Sequence, residues 1–156
     1  MQCLDTMRIT PLPPEFLRLD RGEQVHETLI SFCASRGIHA GWVQMIGAVA
    51  ELELAFFDPK TKTYDALSLT EDLEIASCSG NVVLFEGKPF PHLHGVFGDR
   101  ALRAWAGHVV RAVVGPTCAV VRTPFPGPAR ALRIADAATG LKLLTFSGCG
   151  AGGASP

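Results

Sequence analysis

Residues 90–110 read FPHLHGVFGDRALRAWAGHVV and hold three of the chain's five histidines, His92, His94 and His108. The apolar segments on either side of Gly98-Asp99-Arg100 have strand character, and Gly-Asp is turn chemistry, so the stretch reads as a β-hairpin. Successive strand side chains alternate faces, which puts His92 and His94 on the same side. A three-residue loop of Asp99, Arg100 and Ala101 sets His92 opposite His108 and leaves His94 diagonally close. A two-residue loop reverses the parity and turns His108 to the other face. With the first register, three imidazoles meet as they do around zinc or another divalent transition metal that keeps one coordination position open. The competing reading is three unrelated strand histidines, each satisfied locally.

Outward from the hairpin, the pattern is strand-rich. Glu15–Asp20 alternates apolar and polar residues. Glu23–Arg36 is the one clear helix, with Val25, Leu29, Phe32 and Cys33 as its apolar stripe and Gly37 as its stop. His26 lies off that stripe and reads as solvent-facing; His39 reads as structural. Further strands are expected over Trp42–Ile46, Val49–Phe57, Tyr64–Leu69, Leu73–Ser77, Asn81–Phe85, Phe90–Phe97, Ala104–Val114, Thr117–Arg122, Ala131–Ile134 and Leu141–Phe146. The turn signals between them are Asp58-Pro59, Ser79-Gly80 and Gly115-Pro116. Pro124–Pro128 reads as a rigid loop. This order predicts an α+β fold: a curled, mostly antiparallel sheet with one long helix. The domain spans 15–146, after an extended lead-in at 1–14 and before a Gly-rich tail at 147–156 expected to be disordered.

At 156 residues with 47% apolar and 19% charged, the chain suits one well-cored domain with some surface hidden in an oligomer. A net charge of −1 argues against a strong hold on a nucleic-acid backbone, although Arg100, Arg103 and Arg111 are near one another in sequence. The N-terminal residues do not form a secretory signal, and no apolar run has membrane-spanning length free of charges and turns. Five cysteines without a CxxC pair read as thiols in a reducing compartment, so a cytoplasmic location is expected. Cys78 reads as buried rather than nucleophilic, Trp42 and Trp105 as core or interface, and Tyr64 carries no signal.

Assembled in order, these pieces resemble the PPC (plants and prokaryotes conserved) domain family over about residues 8–146. The carriers are Arg18-Leu19-Asp20-Arg21-Gly22-Glu23, Gly37-Ile38, Ile46-Gly47-Ala48, Phe57-Asp58-Pro59, Leu73-Glu74-Ile75 with Ser79-Gly80-Asn81, Pro91-His92-Leu93-His94 and Gly107-His108. Ala106 stands where relatives commonly have Gly. The resemblance implies a homotrimer built on a mixed, mainly antiparallel sheet with short flanking helices beside the one long helix. In plant members the domain accompanies AT-hook motifs, Arg-Gly-Arg-Pro segments that enter the minor groove; these 156 residues contain no such segment. Its implied role is a regulatory or DNA-associated binding protein, with DNA bound weakly or through a partner protein at most. The hairpin alone is also similar to the zinc-binding part of α-acetolactate decarboxylase, with His92, His94 and His108 in the ligand positions. That likeness implies an alternative, a small zinc-dependent lyase or hydrolase acting on a small oxygenated acid held at the metal. Glu23, Glu74, Asp99 and Arg18 are the candidates for acid, base or oxyanion partner in such an enzyme.

Overall fold

The computed structural model describes residues 8–126 and 131–146. The chain runs β1 (Glu15–Asp20), α1 (Val25–Ser35), β2 (Gly41–Asp58), β3 (Thr63–Leu69), β4 (Leu73–Phe85), β5 (Lys88–Gly98), β6 (Ala104–Pro124), β7 (Ala131–Ala135) and β8 (Lys142–Phe146). All eight strands form one sheet in the order β3-β2-β6-β5-β4-β7-β8, with β1 also on β6. Because β2 pairs with β4 as well, the strands β2, β6, β5 and β4 close into a ring. Every pairing is antiparallel except β4 with β7. Among the described residues α1 is the sole helix, so the expected short flanking helices are absent. No helix is long and apolar enough to cross a membrane.

Ring closure explains why several expected turns are not turns. Ser79-Gly80 lies inside β4, and Gly115-Pro116 lies inside β6. Long strands must bend to close a ring, and bulges supply the bend. Gly47 pairs with Cys118 and Val49 with Val114, so one residue of β2 faces three of β6 there. Pro116 falls within this bulge, where its missing N–H costs no ladder bond. Gly47 has φ +137°, and a Cβ there would stand 2.4 Å from the Thr117 carbonyl oxygen. Gly80 is required for close approach instead: its Cβ would lie 1.9 Å from the His92 carbonyl oxygen.

The core fills the inner face of the ring. Val43, Met45, Val82, Leu93, Val109 and Cys118 point inward and meet Val25, Leu29 and Cys33 of α1. An eleven-residue helix is marginal alone, so this packing is what holds it. Burying a side chain such as Leu29 contributes about 1.5–3 kcal/mol. The Gln24 side chain caps the helix by accepting from the N–H groups of His26 and Glu27, and Gly37 (φ +61°) ends it. The helix is therefore slightly shorter than the expected Glu23–Arg36. Arg122, 1% exposed, donates to Glu15, its direct cross-strand neighbour, at 2.5 Å and ties β1 to β6.

Candidate metal centre

β5 and β6 do form a hairpin, but the loop holds five residues, 99–103, because Gly98 pairs with Ala104. Asp99 builds that loop. Its carboxylate accepts from the N–H groups of Ala101 and Arg103 and from Arg103 Nε at 2.7 Å, while Leu102 takes φ +61°. Lengthening the loop by two residues keeps the parity, so all three histidines share the outer face. The register moves by two: His94, not His92, is opposite His108, and His92 takes the diagonal place. Ring centroids are 5.1 Å apart for His92 and His94, 5.0 Å for His92 and His108, and 5.4 Å for His94 and His108. One nitrogen from each ring lies within 4.8 Å of the others. Imidazole–zinc bonds are about 2.0–2.1 Å, so small side-chain rotations suffice for three nitrogens to reach one ion. The donor set is uniformly neutral nitrogen, which suits zinc and similar divalent metals.

Three more polar residues border the cluster. Arg133 on β7, only 8% exposed, directs Nη2 at His92 Nδ1 (2.6 Å) and at Asn81 Oδ1 (3.2 Å), while Nη1 donates to the Lys142 carbonyl (2.6 Å). Asn81 on β4 pairs directly with His92. Tyr64 on β3 stacks obliquely on His108 at 5.8 Å. Asn81 comes from the strand just before the hairpin, whereas Tyr64 and Arg133 are far from it in sequence and are brought in by the pairings of β3 and β7. His26 corrects an expectation: it is part-buried, its Nδ1 is enclosed without a hydrogen-bond partner, and it lies against the backbone of Val109 beside His108.

Burial is the main reason that His92 and His108 are pushed down from 6.5 to about 4. Arg133, then the neighbouring rings, add to the shift at His92, and His94 leads the secondary contributions at His108. Both rings are therefore neutral, the form that ligates a metal, well below neutral pH. A histidine with a lowered folded pKa binds fewer protons folded than unfolded between the two values. The ion-free protein is accordingly expected to hold full stability above about pH 6.5 and to lose it as pH falls toward about 4. Urea midpoints that rise on acidification across that window would contradict the assignment.

The candidate acid, base and oxyanion partners do not join the cluster. Glu23 accepts from the Asp20 N–H, closing the turn into the helix, and Arg18 pairs with Asp20 at the surface. Glu74 pairs with Gly98, four residues along β5 from His94. Asp99 is the loop organiser; burial raises its pKa, but the hydrogen bonds from Arg103 and Ala101 outweigh this and hold it below the usual value. Burial pushes the Cys78 thiol up to about 12, so it stays protonated and inert, as its sequence context suggested. His39 is exposed outside the cluster. A groove along α1, lined by Gly22, Gln24, Thr28 and Phe32 among others, shares no residue with the histidines.

A ring-closed sheet carrying a three-histidine cluster on its outer face defines a small α+β domain with a candidate site at a hairpin. The Plants and Prokaryotes Conserved (PCC) domain matches residues 10–126, and the chain belongs to this family, the one its sequence resembles. A metal-containing protein from Archaeoglobus fulgidus is 34% identical, with TM-score 0.83 over 90% of this chain and 98% of its own. A provisionally named DNA-binding protein from Bacteroides thetaiotaomicron is 28% identical, with TM-score 0.81 over 88% of this chain and 97% of its own. An α-acetolactate decarboxylase from Bacillus subtilis shares the fold at 16% identity and TM-score 0.54, over 84% of this chain and 59% of its own. No curated protein matches the chain.

Proposed function

We propose that this is a metal-binding PPC protein in which His92, His94 and His108 hold one zinc or similar divalent ion per chain. The observation that carries this reading is the convergence of three imidazoles, one nitrogen of each within 4.8 Å of the others. The metal content of the Archaeoglobus relative supports it. Three protein ligands would leave a coordination position open, and a bound ion would there supply Lewis acidity toward a donor atom of a small ligand. In the ion-free chain Arg133 contacts His92 and Tyr64 stacks on His108. Titration of chelator-stripped protein with Zn²⁺ is expected to saturate at one ion per chain; the absence of saturable binding overturns the proposal.

The role is binding or regulation rather than a hydrolytic or lyase reaction. Among the described residues, the polar side chains that border the cluster are Tyr64, Asn81, Arg133 and, from the helix, His26, with no carboxylate among them to act as general base. DNA binding by the domain itself is weak in this reading. Arg103 is paired with Asp99 and Arg111 with Glu51, which removes two of the three arginines of the suspected basic patch. Non-specific DNA binders rely on several unpaired cations to reach about 10⁻⁴–10⁻⁶ M. The working form is a homotrimer. Phe16, Trp42 and Ile46 project from the outer face of adjoining strands, with Phe16 83% and Ile46 62% exposed, an apolar surface that suits burial between subunits. Light scattering at micromolar concentration is expected to give three times the 16.6 kDa chain mass, and a monomer mass contradicts the trimer.

A further inference from the structure

Arg133 stands in a position that metal loading makes untenable unless something else arrives. A guanidinium only donates, so His92 Nδ1 must accept its Nη2–H at 2.6 Å, which places the proton of the neutral ring on Nε2. A metal needs a lone pair on His92. If the ion takes Nδ1, Arg133 loses its acceptor directly. If it takes Nε2, Nδ1 becomes N–H and faces another donor. Either way the Nη2–H is released, while Nη2 keeps Asn81 and Nη1 keeps the Lys142 carbonyl.

The released donor is not alone. Arg133 Nε is buried and has no hydrogen-bond partner among the described residues. Nε and Nη2 form one edge of the guanidinium, the two-donor edge that matches a carboxylate. No carboxylate pairs with Arg133 in any ion pair among the described residues. A loaded centre would thus combine a divalent cation, three imidazoles and a buried guanidinium with two unused donors. Buried charge and unmet donors of this kind are costly, and an anion satisfies both. We propose that Arg133 is the anchor for a small carboxylate ligand that enters at the open coordination position of the metal centre. This rests on the three-histidine metal reading and supplies the class of ligand for it.

The test uses Co²⁺ as a visible probe in the full chain. Its absorption bands are recorded first without added anion, which reads the metal claim by itself. Acetate and the uncharged acetamide are then titrated in. Acetate is expected to shift the bands saturably and acetamide to leave them unchanged. In Arg133→Met the Co²⁺ bands persist, and half-saturation by acetate moves up by about tenfold or more, the loss expected for a charge-assisted contact. Arg133→Lys keeps a charge but not the fork, gives an intermediate value, and serves if the Met variant does not fold. Co²⁺ bands that ignore acetate, or an acetate response equal in wild type and both variants, overturn the carboxylate anchor and leave the metal centre standing. No Co²⁺ bands at all overturn both.

Discussion

Replacing Gly80 with alanine is expected to cost about 3 kcal/mol or more, at the upper end of what overpacking a core does. The added Cβ would stand 1.9 Å from the His92 carbonyl oxygen and 2.9 Å from both the His92 carbonyl carbon and the Leu93 Cα. All three atoms are backbone, so no side-chain rotation relieves the clash; β4 and β5 must separate. The separation falls at the pairing of Gly80 with Leu93, beside the pairing of Asn81 with His92. The variant therefore loses stability and disturbs the histidine cluster together. Chemical denaturation reads the first effect and Zn²⁺ affinity the second. A stability within about 0.5 kcal/mol of wild type, the range of an ordinary surface change, contradicts the packing argument.

The second large effect is at His94. It is exposed and makes no side-chain hydrogen bond among the described residues, so His94→Ala should change stability by no more than about 0.5 kcal/mol. Metal affinity behaves differently. Even groups that only orient ligands are worth about 10–100-fold in affinity, and removing one of three direct ligands exceeds that range. Stability kept and metal lost is the signature that separates a ligand from a structural histidine.

Much of this arrangement is legible in the local sequence. The β1 limits follow from strict alternation, and the helix follows from Val25, Leu29 and Cys33. The shared face of the three histidines depends only on loop parity, which survived the change from three loop residues to five. The loop length itself depends on Asp99 gathering three donors and on Leu102 adopting a left-handed conformation, which Leu does not advertise. Ser79-Gly80 and Gly115-Pro116 have turn chemistry locally, yet closing the ring uses them as a close strand approach and a bulge. The places of Tyr64 and Arg133 at the centre are set by pairings between strands distant in sequence, and that of Asn81 by the register of the neighbouring β4–β5 hairpin. The apolar stripe alone does not reveal His26, because the helix packs against β5 and β6 closely enough to enclose a residue beside that stripe.

The central claim, that His92, His94 and His108 hold a metal, is tested most directly by elemental analysis. Wild type and His94→Ala should be prepared without a histidine tag and without chelator, side by side. The predicted result is close to one divalent transition-metal ion per chain in wild type and little in the variant, both folded. Equal metal content in the two proteins, or none in wild type after zinc is supplied, would contradict it.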